Sequence, residues 1–140
     1  MIPVSCRVKH DPENGTYGDC LRAVVASILE IEPPENVPHF FHDNPGGDEG
    51  HERLREFLKT QGLVPFMTYF SGDDSLENVL QTQQSINPDV HFALFCQSET
   101  ADHVVVCCNG KVVHNPSWVQ GSVTGPNSNG YWGVMVFAKC

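Results

Sequence analysis

The stretch DHVVVCCNGKVVHNPS, residues 102–117, decides how the chain is read. Two apolar runs, 103–108 and 111–114, flank Asn109-Gly110. Asn-Gly is the pair that a two-residue hairpin turn favours, because both of its central residues take positive φ. The segment therefore reads as an antiparallel hairpin, and its register is open. A type I′ turn pairs Cys108 with Lys111, sets His103 opposite Pro116 and points Asn115 to the other face. A three-residue loop with a bulge at Gly110 pairs Cys107 with Lys111 and brings His103 opposite Asn115. Both strands are apolar on both faces, so alternation does not choose between them.

Outward from the hairpin, three more strands are expected, at 63–70, 90–96 and 131–138, and a short one near the start, at 3–9. Helices are expected at 20–31, 51–61 and 74–84. The first is capped by Gly18 or Asp19 and stopped by Pro33 and Pro34, and the last is capped by Asp73 or Asp74. Residues 41–50 and 115–130 read as loops rich in Gly, Asn, Asp and Pro. Helices first and an antiparallel sheet after them is the α+β arrangement. No repeat or linker divides the chain, so residues 1–140 read as one domain with one core.

The 140 residues carry a net charge of −9 with only 8 Lys and Arg and no basic run. That excludes the clustered positive surface that nucleic acid or an anionic membrane requires. No apolar stretch approaches the ~18 residues of a membrane span, and the first residues are too polar for a signal peptide. A cytoplasmic location is the expectation. Six cysteines, Cys6, Cys20, Cys96, Cys107, Cys108 and Cys140, are then expected as reduced thiols. No C-x-x-C pair offers zinc-finger spacing.

Cys20 stands where the loop HDPENGTYG gives way to the first helix. Leu21, Val24, Val25, Ile28 and Leu29 recur at the spacing of a buried stripe, and Cys20 lies at its border. In the first helical turn, free N–H groups and the macrodipole favour a thiolate, while the neighbouring Asp19 carboxylate opposes one. Two readings are open: a small half-buried side chain, or a nucleophile. His103 at a strand start is a candidate base, and Asn115 a candidate for orienting it; each can equally be a strand-end or turn residue.

Cysteine at a helix start, then histidine, then Asn or Asp, on an α+β fold, resembles the papain-like cysteine peptidases. The family carries Q-G-x-C-G-S-C-W around its nucleophile, and residues 14–21 here read N-G-T-Y-G-D-C-L. Gly15, Gly18 and Cys20 match. Asn14 takes the position of the glutamine that donates to the oxyanion, one methylene shorter, and Leu21 replaces an aromatic residue. The compact size is closest to the bacterial and phage branches, among them bacteriocin-leader peptidases and cell-wall amidases.

The resemblance implies a papain-like domain whose Cys-bearing N-terminal helix packs on an antiparallel sheet. It implies a thiol hydrolase acting on a peptide, a protein tail or a small amide, made in a bacterial cytoplasm and encoded there or by a phage. Cys20 would be the nucleophile, His103 the base, Asn115 its orienter and Asn14 the oxyanion donor, with no cofactor. Gly18, Asp19, Trp118 and Trp132 would meet substrate, with Phe40, Phe41 and Tyr131 as further aromatics near it. An inactive relative that binds and blocks another protein is the rival from a different class. A third reading places a metal among His39, His42, Asp43, Asp48 and His51.

Overall fold

The computed structural model describes residues 1–43, 47–99, 101–117 and 121–140. Among the described residues three α-helices are formed: α1 (Cys20–Leu29), α2 (Gly47–Thr60) and α3 (Leu76–Ile86). They accompany six strands: β1 (Leu63–Ser71), β2 (Phe92–Ser98), β3 (Ala101–Cys108), β4 (Lys111–His114), β5 (Val123–Pro126) and β6 (Tyr131–Lys139). All pair antiparallel in one sheet of order β1-β6-β2-β3-β4, with β5 joined to the end of β2. The α+β class expected from the sequence is the class observed.

The apolar character of both strand faces has a direct cause. Val104 and Val106 of β3, Ala93 of β2 and Met135 of β6 pack with Val24 and Val25 of α1 and with Leu54 and Leu58 of α2. Their neighbours Val105 and Cys107, Phe92 and Leu94, and Trp132 and Val134 pack on the opposite face with Val79 and Leu80 of α3. Successive side chains of a strand point to opposite faces, so a sheet covered on both sides needs apolar residues at every position.

Several boundaries differ from the sequence expectation. Helix α1 ends at Leu29, because Glu30 turns left-handed (φ 59°) and its N–H and that of Ile31 return to Ala26 and Ser27 carbonyls. Helix α2 starts at Gly47, inside what reads as a loop. Strand β5 lies within the expected 115–130 loop. Residues 3–9 form no strand. They run beside α1, tied by Val4 N–H to Ser27 Oγ (2.9 Å), while His114 Nε2 donates to the Val4 carbonyl (2.7 Å).

The cap of α3 is Ser75, not Asp73 or Asp74; its hydroxyl accepts the Asn78 N–H at 3.1 Å. Ser75→Ala is expected to lower stability by about 1 kcal/mol in urea titration, the ordinary worth of such a cap. No change would mean that the hydroxyl leaves the helix end as well satisfied by solvent. No helix among the described residues is long and apolar enough to cross a membrane.

Candidate active site

Cys20 is the first residue of α1 and half-buried. The loop ahead of it is built by local rules. A 3₁₀ turn over Pro12–Asn14 is closed by Gly15 at φ 78°, a conformation glycine adopts without strain. The Gly18 N–H donates to His10 Nδ1 (3.1 Å), and His39 Nε2–H donates to the Tyr17 carbonyl (2.7 Å). A Cβ on Gly18 would stand 3.1 Å from that of His10, so the close approach favours glycine.

Asp19 is 1 % exposed and does not face a cleft. It occupies the helix N-cap position, but its side chain caps no backbone N–H of the helix. Its carboxylate instead accepts the backbone N–H groups of Arg7 (3.0 and 3.1 Å) and Val8 (3.0 Å) and pairs with Arg22 (3.0 Å). The substrate contact expected of Asp19 is therefore replaced by an anchoring role: it holds residues 7 and 8 against the start of α1. One residue earlier, the Cys6 N–H donates to the Pro116 carbonyl (2.8 Å). These bonds bring Cys6 Sγ to 3.0 Å from Cys20 Sγ. The sequence gives no sign of this neighbour, because no local spacing relates residue 6 to residue 20.

His103, 5 % exposed, stands on β3, and its Nε2 is 2.7 Å from Asn115 Oδ1. The hairpin register explains how. Asn109 and Gly110 take φ of 51° and 78°, and Cys108 pairs with Lys111, as a two-residue turn requires. Cys107 then pairs with Val112, but Val106 pairs with His114, so Val113 is an extra residue in β4. A one-residue bulge reverses the face of everything beyond it. Unbroken, this turn would have sent Asn115 away from His103. The bulge returns it.

Three contacts of Asn115 fix its orientation. Its Nδ2 donates to the Gly121 carbonyl (3.0 Å), and its Oδ1 accepts from the Ser117 N–H (3.1 Å). The oxygen therefore faces His103, which must present Nε2–H and leave Nδ1 for Cys20. Electrostatics agree with that assignment. The Cys20 thiol is lowered to about 6: the hydrogen bond from Cys6 lowers it most, burial raises it, and the hydrogen bond and charge of His103 lower it further against the charge of Asp19. Burial pushes His103 down, but the hydrogen bond and charge of Cys20, with the bond to Asn115, outweigh it and raise the imidazole. Cys6 is raised, chiefly because its proton is held toward Cys20. The arrangement favours a thiolate–imidazolium pair with an adjacent protonated thiol.

The remaining expected residues fall elsewhere. Asn14 is exposed, and its Nδ2 donates to Asp11 at 2.6 Å, so its carboxamide is engaged within its own turn rather than with an oxyanion. Trp132 is 3 % exposed in the core under α3, and its Nε1–H donates to the Asp74 carbonyl (2.9 Å). It is a core residue, not a substrate contact. Phe40 is likewise core, and Tyr131 is exposed against Tyr69. Trp118 lies outside the described residues.

Three of the five residues considered for a metal, Asp43, His39 and His51, are engaged elsewhere. Asp43 pairs with Arg53 (2.8 Å), His39 holds Tyr17, and the His51 ring packs against Phe41 and Phe95. Among the described residues no group of three or more His, Cys, Asp or Glu side chains is placed to hold a metal ion. Comparison with family models, with curated proteins and with solved structures finds no match for this chain.

Proposed function

We propose that the chain is a papain-like, cysteine-dependent hydrolase that cleaves an amide, peptide or isopeptide bond through an acyl-thioester. The observation that carries this reading is the hydrogen bond of His103 to an Asn115 oriented by two further hydrogen bonds; the lowering of the Cys20 thiol by His103 supports it. The Cys20 thiolate attacks the carbonyl carbon, and the oxygen takes up the negative charge. The N–H of Cys20, in the first turn of α1, is one of the donors that a helix start leaves for such a charge. His103 then gives its Nδ1 proton to the leaving amine, accepts one from water, and directs that water at the thioester. Asn115 keeps the ring aligned throughout.

One observation favours a second reading, a protein of this kind that binds and blocks a partner without turnover. Asn14 is turned away, and losing one oxyanion donor in a comparable site costs roughly 2.7–4 kcal/mol.

The test is the pH dependence of iodoacetamide alkylation at Cys20 against a reference cysteine peptide. With Cys20 at about 6 and the reference at ~8.5, the thiolate fractions at pH 5 differ about 300-fold. A less basic thiolate is also roughly 10- to 20-fold less nucleophilic. Cys20 should therefore react about 20-fold faster at pH 5, equal the reference near pH ~7.4, and fall behind it above that. A Cys20 rate that tracks the reference at every pH would remove the nucleophile. A crossover as expected, without turnover of any amide or peptide probe, would favour the binding reading. In hydrolysis, the rate should rise as pH climbs through about 6 and fall again once pH exceeds the raised value of His103.

A further inference from the structure

We propose that Cys6 and Cys20 are a peroxide-sensitive dithiol, and that closing them into a disulfide reversibly turns the site off. The two sulfurs are 3.0 Å apart, and a bond between them needs only about 1 Å of further approach. That proximity is imposed by the fold. Cys6 is held by its N–H on the Pro116 carbonyl, next in sequence to Asn115, and residues 7 and 8 are held by Asp19, next to Cys20. The N-terminal segment is thus fastened to both halves of the candidate site, with its one cysteine facing the other thiol.

The two thiols have complementary roles. Cys20 is half-buried and the more open to an oxidant, while Cys6 is 7 % exposed. The Cys20 thiolate attacks one peroxide oxygen; the S–O bond forms, the O–O bond breaks, and the leaving hydroxide takes up a proton to become water. The result is a sulfenic acid. The sulfur of Cys6 then attacks Cys20 Sγ; the S–S bond forms and the S–O bond breaks. The departing hydroxide collects the proton lost from Cys6, giving a second water. Two electrons pass from the sulfur pair to peroxide. External thiol reverses the bridge by exchange. Trapping by Cys6 also keeps Cys20 from going on to the irreversible sulfinic acid.

The remaining thiols do not compete at this site. Burial holds Cys96 up at about 12 and pushes Cys107 and Cys108 up, which leaves them protonated at neutral pH. Cys140 is exposed at the other end of the chain.

Formation of the bridge stands first on the 3.0 Å approach of the two sulfurs, whereas its effect on activity rests on the proposed function, in which Cys20 is the nucleophile. The full chain carrying Cys140→Ser, which prevents bridging between molecules, is treated with hydrogen peroxide at pH 7. It is then mapped without reduction. The expected product has lost two hydrogens, joins the Cys6 and Cys20 peptides, and no longer takes iodoacetamide at Cys20 until dithiothreitol is added. With Cys6→Ser added, no bridge should form, dimedone should trap the Cys20 sulfenic acid, and excess peroxide should give a product that dithiothreitol does not restore. Direct conversion of Cys20 to sulfinic acid in the presence of Cys6, or a bridge between other cysteines, would overturn the dithiol. A Cys6–Cys20 bridge in a protein whose reduced Cys20 reacts no faster than a reference thiol at pH 5 would overturn the off-switch through failure of the nucleophile, while the dithiol would stand.

Discussion

His103→Ala is expected to lower turnover of any amide or peptide probe that acylates Cys20 by 10²- to 10⁴-fold, the usual worth of a general acid–base residue. The loss has two parts. The ring supplies the proton for the leaving amine, and its charge and hydrogen bond help hold Cys20 as a thiolate. The second part is measurable without any substrate. If the thiol reverted fully to ~8.5, alkylation at pH 6 would fall about tenfold, a lower thiolate fraction being partly offset by greater nucleophilicity. The hydrogen bond from Cys6 remains in the variant and also lowers Cys20, so tenfold is the upper limit at that pH. Asn115→Ala should lower turnover less, since the imidazole stays beside the thiol but loses the partner that fixes its tautomer. Asn115→Asp keeps an acceptor oxygen and should retain more activity than the alanine variant. An unchanged alkylation profile in His103→Ala would show that the ring does not govern the thiol, and the hydrolase reading would fall with it.

How much of this was legible in the sequence depends on the range of the interactions involved. Helix α1, with Cys20 at its first residue, follows from the spacing of Leu21, Val24 and Val25 and from the glycine-punctuated loop before it. The hairpin turn follows from Asn109-Gly110. Of the two registers the sequence allows, only the three-residue loop predicts the contact between His103 and Asn115; the structure has the two-residue turn with its Cys108–Lys111 pair, and the bulge at Val113 makes the contact nonetheless. Nothing at Val113 marks a bulge, because Val112 and Val113 are both apolar and suit either face. The frame relative to Cys20 points to Asn14, but Asp11, three residues away, offers its carboxamide a nearer partner. The aromatic character of Trp132 suits a substrate wall as well as a core, and the sheet's second covered face takes it for the core. Cys6 was invisible for a different reason. It reaches Cys20 through Asp19 and Pro116, contacts that exist only once the N-terminal segment lies across the finished fold.

Asp19→Ala tests the anchor on which that placement depends, and it is expected to cost about 3–5 kcal/mol in urea or thermal unfolding. The carboxylate is fully buried, and Arg22, its partner, is 11 % exposed, so its removal leaves a largely desolvated cation together with the N–H groups of Arg7 and Val8. A domain with about 5–15 kcal/mol of total stability would lose a large fraction of it. A loss below about 1 kcal/mol, the range of a solvent-exposed pair, would mean that the segment is held by other contacts. Asp19→Asn separates the anchoring from the electrostatics. It keeps one acceptor oxygen for the N–H groups and should unfold less readily than the alanine variant. It also removes the negative charge that raises Cys20, so the alkylation profile of Cys20 should move to lower pH. A carboxylate kept beside a nucleophile that it disfavours needs a structural reason, and the hydrogen bonds to residues 7 and 8 supply one. If the asparagine variant instead shifts the profile to higher pH, loss of the N-terminal segment and its Cys6 hydrogen bond outweighs the removed charge. Asp19 would then lower the thiol on balance, by positioning Cys6.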